Sequence, residues 1–322
     1  MTNKQTIAIV GATGATAGGL VRAILDNPDG PFSCRALTRT PGSDAAQALA
    51  ARGATVMQAD TDDPDSLVAA FDGAYGVFGM TTFWDNFSAA QETQQAENIA
   101  RAAATAGVRH AVWVTSPDSR QWFPLDDPRM PTIDGNYKVP QWDGKADGDA
   151  GFEAAGVPTT RLRVPFHWEA FVGGMGRPQP GPDGRLVLGL PIGEALLPGI
   201  ANDDVGRCAL GIFAAGLAYV GESLGIAGEH IDGHRLAQGL TQVLGEPVIF
   251  APMPLDAFRA LPFPGITAAA NMCQVLAQVP EYAHLHQVST ARQLNAGTRS
   301  FDAWVSENTT SVRHDAPTVA AR

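Results

Sequence analysis

The chain has 322 residues, a formal net charge of −11 and a mean hydropathy of −0.04, which is enough chain for one large or two modest cores. No apolar run approaches the roughly 18 residues that cross a bilayer. Residues 1–5 are polar and run straight into an apolar strand, unlike a signal peptide, and no basic run with interleaved aromatics offers a nucleic-acid surface. The expectation is therefore a globular cytoplasmic protein with neither a membrane nor a nucleic-acid partner. Cys34, Cys208 and Cys273 are odd in number and widely spaced, so neither a disulfide framework nor a zinc site is expected. The abundance of Ala, Gly and Pro is a composition associated with high-GC bacteria.

Taken in order, residues 6–10 read as a buried strand. The glycine-rich run Gly11-Ala-Thr-Gly14-Ala-Thr-Ala17 cannot continue it, and residues 17–25 carry Leu20, Val21, Ile24 and Leu25 at helical spacing. Further strands are expected at 33–38, 55–59, 75–80, 110–116 and 159–164. The helices between them fall at 45–51, from Asp63 to 71, at 88–106 and at 142–155, the last in spite of Gly144, Gly148 and Gly151. Residues 118–140, rich in Pro, Asp and aromatics, read as a surface excursion. Strands alternating with helices at this spacing make right-handed βαβ units in a parallel sheet. Beyond Pro165 the alternation stops, leaving a short strand at 186–190, a helix at 203–215 and smaller pieces. The expected architecture is α/β: a doubly wound Rossmann sheet over residues 1–165, and a smaller irregular α+β cap over 166–322 with which it can be intertwined.

A strand, a glycine turn and a helix in that order predict a dinucleotide site, the competing reading being a chance glycine turn in some other α/β protein. Gly11 permits the tight turn, Gly14 lets backbone approach a pyrophosphate, Ala17 and Gly18 let the helix press on the sheet, and the helix N-terminus offers free N–H groups. At the end of the second strand, where an NAD enzyme places Asp or Glu, stands Arg39. A guanidinium there suits the 2′-phosphate of NADP(H), and the competing reading is a plain surface arginine. Asp60 either borders the adenine or caps the turn before Pro64.

Several stretches together resemble the NmrA-like family of atypical short-chain dehydrogenase/reductases. They are the turn at 11–17, Thr38-Arg39, Gln58 to Asp60 with Asp62-Asp63, Thr82-Phe-Trp84, Asp143-Gly-Lys145, Gly156-Val-Pro158 leading to Arg163-Val-Pro165, and Phe301-Asp-Ala-Trp304. The resemblance implies a Rossmann fold that prefers NADP(H). It also implies one of two roles, a reductase of quinones or other small molecules or a nucleotide-sensing regulator that acts through a protein partner. Carried over, it gives the phosphates to Gly11, Thr13, Gly14, Ala15, Thr16 and Ala17 with Arg39. It runs Met80, Thr81 and Thr82 along the cofactor, brings Lys145 to the nicotinamide ribose, and sets Pro165, Phe166 and His167 beside the nicotinamide.

The wider superfamily pairs a Ser at the end of the fifth strand with Tyr-x-x-x-Lys, the lysine lowering the tyrosine pKa for proton transfer. Ser116 and Lys145 fit that pattern, yet the tyrosine position holds Gln141, which can donate a hydrogen bond but has no useful proton to lose. Tyr137, one turn earlier but beyond Pro140, and His167 are the remaining proton candidates. Without the phenol, activated acceptors such as quinones, enones and imines are favoured. Phe83, Trp84, Trp122, Trp142 and Trp168 fall in segments the fold brings to the crevice, as walls for an aromatic substrate or as core between the two parts. The sensing role fits the missing tyrosine equally well. Glu229, His230, His234, His284 and His286 lack metal-site spacing, because Asp232-Gly233 reads as a turn leaving a strand.

Overall fold

The computed structural model describes residues 4–174 and 176–314. Five βαβ steps occupy the first half: β1 (Gln5–Ile9), α1 (Ala15–Leu25), β2 (Phe32–Thr38), α2 (Asp44–Ala51), β3 (Thr55–Gln58), α3 (Pro64–Phe71), β4 (Gly76–Gly79), α4 (Ala89–Thr105), β5 (His110–Thr115), α5 (Pro140–Ala155) and β6 (Thr159–Arg163). Helix starts follow local chemistry. Ser43, Asp63 and Ser88 each accept a backbone N–H of the helix that follows, and Pro64 and Pro140 open α3 and α5.

The second half contributes β7 (Phe166–His167), α6 (Ala170–Gly173), β8 (Gln179–Pro180), β9 (Leu186–Leu188), β10 (Leu197–Ile200), α7 (Asn202–Ala214), β11 (Ser223–Gly225), β12 (Glu229–Ile231), α8 (Gly233–Leu244) and β13 (Val248–Phe250). The helices α9 (Leu255–Arg259), α10 (Ile266–Gln278), α11 (Pro280–His284), α12 (Val288–Leu294), α13 (Phe301–Glu307) and α14 (Thr309–His314) follow. The main sheet is parallel throughout, in the order β11-β6-β5-β4-β1-β2-β3. Its order reverses between β1 and β4, so a ligand crevice opens at their carboxyl ends. Two three-stranded sheets, β12-β10-β7 and β13-β9-β8, build the smaller part.

Chain from beyond residue 165 returns to the larger part twice. β11 extends the main sheet beside β6, and α7 lies against α1. The second contact depends on glycine at both helices: a Cβ on Gly206 would stand 2.1 Å from the Leu20 nitrogen, and one on Gly19 would stand 2.9 Å from the Asp203 Cα.

Two expectations are refined. The expected helix after β5 is present and starts two residues earlier, at Pro140, and its glycines are contact points. Cβ atoms at Gly144, Gly148 and Gly151 would press on Ala89, Ala96 and Glu97 of α4 at 2.9, 2.6 and 3.0 Å. Residues 118–140 are an excursion anchored at points: Gln121, Pro124 and Leu125 are among its exposed residues, while Phe123, Met130, Lys138 and Val139 are buried. The segment is tied down by the Asp143 carboxylate, which accepts from the Ser119 N–H (2.8 Å), Ser119 Oγ (2.6 Å), Lys138 N–H (2.8 Å) and Val139 N–H (3.0 Å). Lys138 Nζ donates to the carbonyls of Asp127 and Met130, satisfying a cation that burial would otherwise penalise.

Candidate functional site

Two cavities meet at the switch point. The first, about 460 Å³, runs from the glycine turn past the end of β2, with Gly11, Thr13, Gly14, Arg39, Met80 and Thr82 among its walls. Gly11 sits at φ +67°, a conformation costly for any other residue. The Gly14 N–H donates to the Gly11 carbonyl at 2.8 Å, and a Cβ on Gly14 would close to 3.2 Å on that oxygen. Gly14 caps α1 without any side-chain acceptor, and the first turn of α1 carries no acid. Its N–H groups and positive dipole end are thus left for an anionic ligand. The residues present fit a dinucleotide. Arg39 is two-thirds exposed and holds Asp85 only at 3.4 Å, so its fork of donors remains accessible from the cavity.

The second cavity, about 410 Å³, shares Met80, Thr81 and Thr82 with the first. Phe83, Trp84, Ser116, Gln141, Trp142, Lys145, Pro165, Phe166 and His167 line it, with Met272, Leu276 and Tyr282 reaching over from α10 and α11. Lys145 Nζ donates to the Thr81 carbonyl (2.6 Å), Thr81 Oγ1 (3.0 Å) and Glu92 Oε1 (2.5 Å). The Glu92 side chain is 1% exposed, and its second oxygen has no partner among the described residues. Burial, reinforced by the Lys145 charge, pushes the His167 imidazole down to about 4, so it is neutral at pH 7. Gln141 is 5% exposed. Its Nε2 donates to the Ala268 carbonyl at 3.2 Å, and its Oε1 is unpartnered among the described residues.

Not every expected residue is at these walls. Trp168 is fully buried over Gly199, edge-on to Phe301, and does not line the substrate-side cavity; it is core of the smaller part. Trp122 stands edge-on to Tyr282, behind the wall. Tyr137 precedes the first turn of α5 and is not a wall residue of either cavity. Asp60 Oδ1 accepts the Asp62 N–H at 3.0 Å, which is the turn-capping arrangement. Ala15 is exposed and Ala17 fully buried, both off the cavity walls, while Thr16 faces the second cavity and donates to Asn202 Oδ1 at 2.7 Å. His230 Nε2 bonds the His286 carbonyl at 2.7 Å, and among the described residues no group of three His, Cys, Asp or Glu is arranged to hold a metal.

Glu92, Asn202 and Tyr282 were not foreseen. Nothing near Glu92 in sequence sets it apart from any acid in a helix first turn. Asn202 and Tyr282 come from the region without regular alternation. Burial raises the Tyr282 phenol far above its ordinary value, and its ring stacks on Trp142 at 4.7 Å and 3°.

A family model described as the NmrA-like family matches residues 3–305. An NmrA-like family domain-containing oxidoreductase, FrzB, of Cladobotryum sp is 28% identical over 277 residues, covering 81% of this chain and 79% of the relative. Since that relative is fungal, composition does not assign a bacterial source. Among solved structures, the negative transcriptional regulator NmrA in complex with NADP superposes with a TM-score of 0.79 at 21% identity, covering 97% of both chains. The Citrobacter sp. triphenylmethane reductase complexed with NADP(H) gives a TM-score of 0.71 at 17% identity, over 97% of this chain and 100% of that one. At those identities the likeness is one of fold. No described helix is long and apolar enough to cross a membrane.

Proposed function

The chain belongs to the NmrA-like family, and from that premise we propose that it is an NADP(H)-dependent reductase acting on an activated, conjugated small molecule. The observation that carries the reading is the meeting of the two cavities at Met80, Thr81 and Thr82, beside Lys145. One cavity has a phosphate cradle and the other has aromatic walls. NADPH, when bound, supplies a hydride. The glycine turn and the α1 N-terminus hold the pyrophosphate, and Arg39 takes the 2′-phosphate through charge-assisted bonds. Lys145, its charge matched by Glu92, stands where the cradle ends and the apolar cavity begins. Phe83, Trp84, Trp142 and Phe166 supply flat surface and exclude water.

The residues available for proton transfer set the substrate class. Gln141 has no titratable proton, His167 is neutral and therefore a weak acid, burial makes the Tyr282 phenol on the cavity wall a weaker acid than an ordinary tyrosine, and Tyr137 is off the wall. An acceptor that takes its proton from water or already carries charge suits such a site, as quinones, enones and imines do.

The test is titration of the purified protein with NADPH and NADH, followed by NADPH oxidation against a panel of those acceptors. Tight NADPH binding and turnover of one class are expected. Tight binding with no oxidation of any acceptor would replace the reductase reading with a regulatory protein that senses NADPH through a protein partner.

A further inference from the structure

The wider superfamily's tyrosine position is filled here by a side chain whose hydrogen-bonding direction is settled by its neighbours. Gln141 sits in the first turn of α5, one turn before Lys145 on the same helix face. The Ala268 carbonyl of α10 can only accept, so the amide nitrogen must face it. That leaves Oε1, an acceptor, as the buried, unpartnered polar atom of Gln141, a residue of the substrate-side cavity wall. A buried carbonyl oxygen without a donor is unfavourable, and no described residue supplies one. Among the described residues lining the cavity, Lys145 alone carries formal charge, and it is already paired with Glu92. His167, neutral, presents a second buried unpartnered atom, Nδ1.

We propose that Gln141 is the specificity-determining residue of this cavity: its Oε1 accepts a hydrogen bond from an N–H or O–H on a neutral, flat, conjugated substrate. Such a donor satisfies the orphaned acceptor while the body of the ligand lies against Trp142 and Phe166. A simple quinone presents only acceptor oxygens, so its lone pairs would face those of Gln141. A substrate with its own N–H in the same conjugated ring system as the electrophilic carbon avoids that repulsion. The inference deepens the reductase reading and relies on it for the reaction, while the hydrogen bond itself is independent of turnover.

A matched pair of probes tests it: isatin (indole-2,3-dione), which carries a ring N–H, and 1-methylisatin, which lacks it. Isatin takes hydride at its C3 carbonyl carbon, the π electrons move to oxygen, that oxygen takes a proton from water, and NADPH is released as NADP+. Two readouts are needed, the calorimetric Kd of each probe for protein loaded with NADP+, and kcat/KM from loss of NADPH fluorescence. Wild type is expected to favour isatin by about 10- to 100-fold in both, the scale of one buried acceptor left unpaired. Gln141→Met, close in shape but without an acceptor, is expected to bring that ratio near one without moving the Kd for NADPH. Gln141→Leu is the second variant should the methionine protein fold poorly, and the wild-type comparison requires no variant.

Equal binding of the two probes by wild type, or binding of neither, overturns the proposal. So does a preference for isatin that survives in the Gln141 variants. A role of Gln141 only in tying α5 to α10 would lower Tm and weaken both probes equally, leaving the ratio unchanged. Preferential binding of isatin without any NADPH oxidation would support the donor-selective site and refute the reductase reading instead.

Discussion

Replacing Glu92 by glutamine removes one negative charge from the interior and changes almost nothing in shape. The carboxylate it removes is 1% exposed, and its partner Lys145 is 13% exposed with Nζ at 2.5 Å. Breaking a buried pair by removing one partner costs about 3–5 kcal/mol, because the remaining charge is left uncompensated. Lys145 retains the Thr81 carbonyl and Oγ1 as acceptors, and the glutamine oxygen can still accept from it. The loss for Glu92→Gln is therefore placed at the lower end, about 3 kcal/mol, which for a chain of this size lowers Tm by roughly 6 °C. Lys145→Met should cost at least as much, because it strands the more deeply buried carboxylate. The double variant leaves only neutral groups around Thr81, so it should be less destabilised than the sum of the singles by about 2 kcal/mol. Calorimetric unfolding of the four proteins completes the cycle. A Tm for Glu92→Gln indistinguishable from wild type, or strictly additive single effects, would show that the ion pair is not what stabilises this corner of the site.

Other consequences can be checked separately. Arg39→Ala should weaken NADPH by about 10- to 100-fold, the value of its charge-assisted bonds to a phosphate, while NADH titrates nearly as before; equal loss of both would remove Arg39 from the 2′-phosphate. His110 and His286 are fully buried, and burial pushes both down to about 4 from an ordinary 6.5. The unfolded chain therefore binds protons that the native one refuses, and stability is full above pH 6.5 and falls as pH drops toward 4. Each ring contributes a slope of about 1.4 kcal/mol per pH unit inside that window, opposed at its acid end by Asp143 and Asp149, which burial pushes upward. Ring resonances of His110 or His286 titrating near pH 6.5 would contradict this. Gly206→Ala should cost about 1–3 kcal/mol by overpacking and weaken NADPH as well, since it forces α7 away from the helix that carries the phosphate cradle; denaturant unfolding with and without NADPH measures both.

The first half of the fold was legible because its signals are local. Buried strands read as apolar runs, Ser43, Asp63 and Ser88 announce the helices they cap, and the turn after β1 takes a φ of +67° that glycine adopts without strain. Where the reading stopped short, the causes are local too. The glycines of α5 count against the helix that the sequence nonetheless predicts, until α4 is packed on them. Residues 118–140 look solvated because Pro and Asp dominate, and many of them are exposed; composition does not show the anchor, where Asp143 and Lys138 satisfy the polar groups of the buried residues. Trp168 lies close in sequence to Phe166 and His167, which reach the cavity, yet it packs over Gly199 in the core.

By itself, then, the sequence determined the βαβ half, the glycine turn at the head of α1, the arginine after β2, and the absence of the wider superfamily's tyrosine. Each of these is encoded within a few consecutive residues by backbone freedom, hydrophobic period or residue chemistry. Only the tertiary structure decided the site's partnerships: Glu92 with Lys145 across 53 residues, Gln141 with Ala268 across 127, and Thr16 with Asn202 across 186. Those pairings set charge, donor direction and cavity shape. They arise from the packing of distant segments against one another, and no local periodicity records which segments will meet.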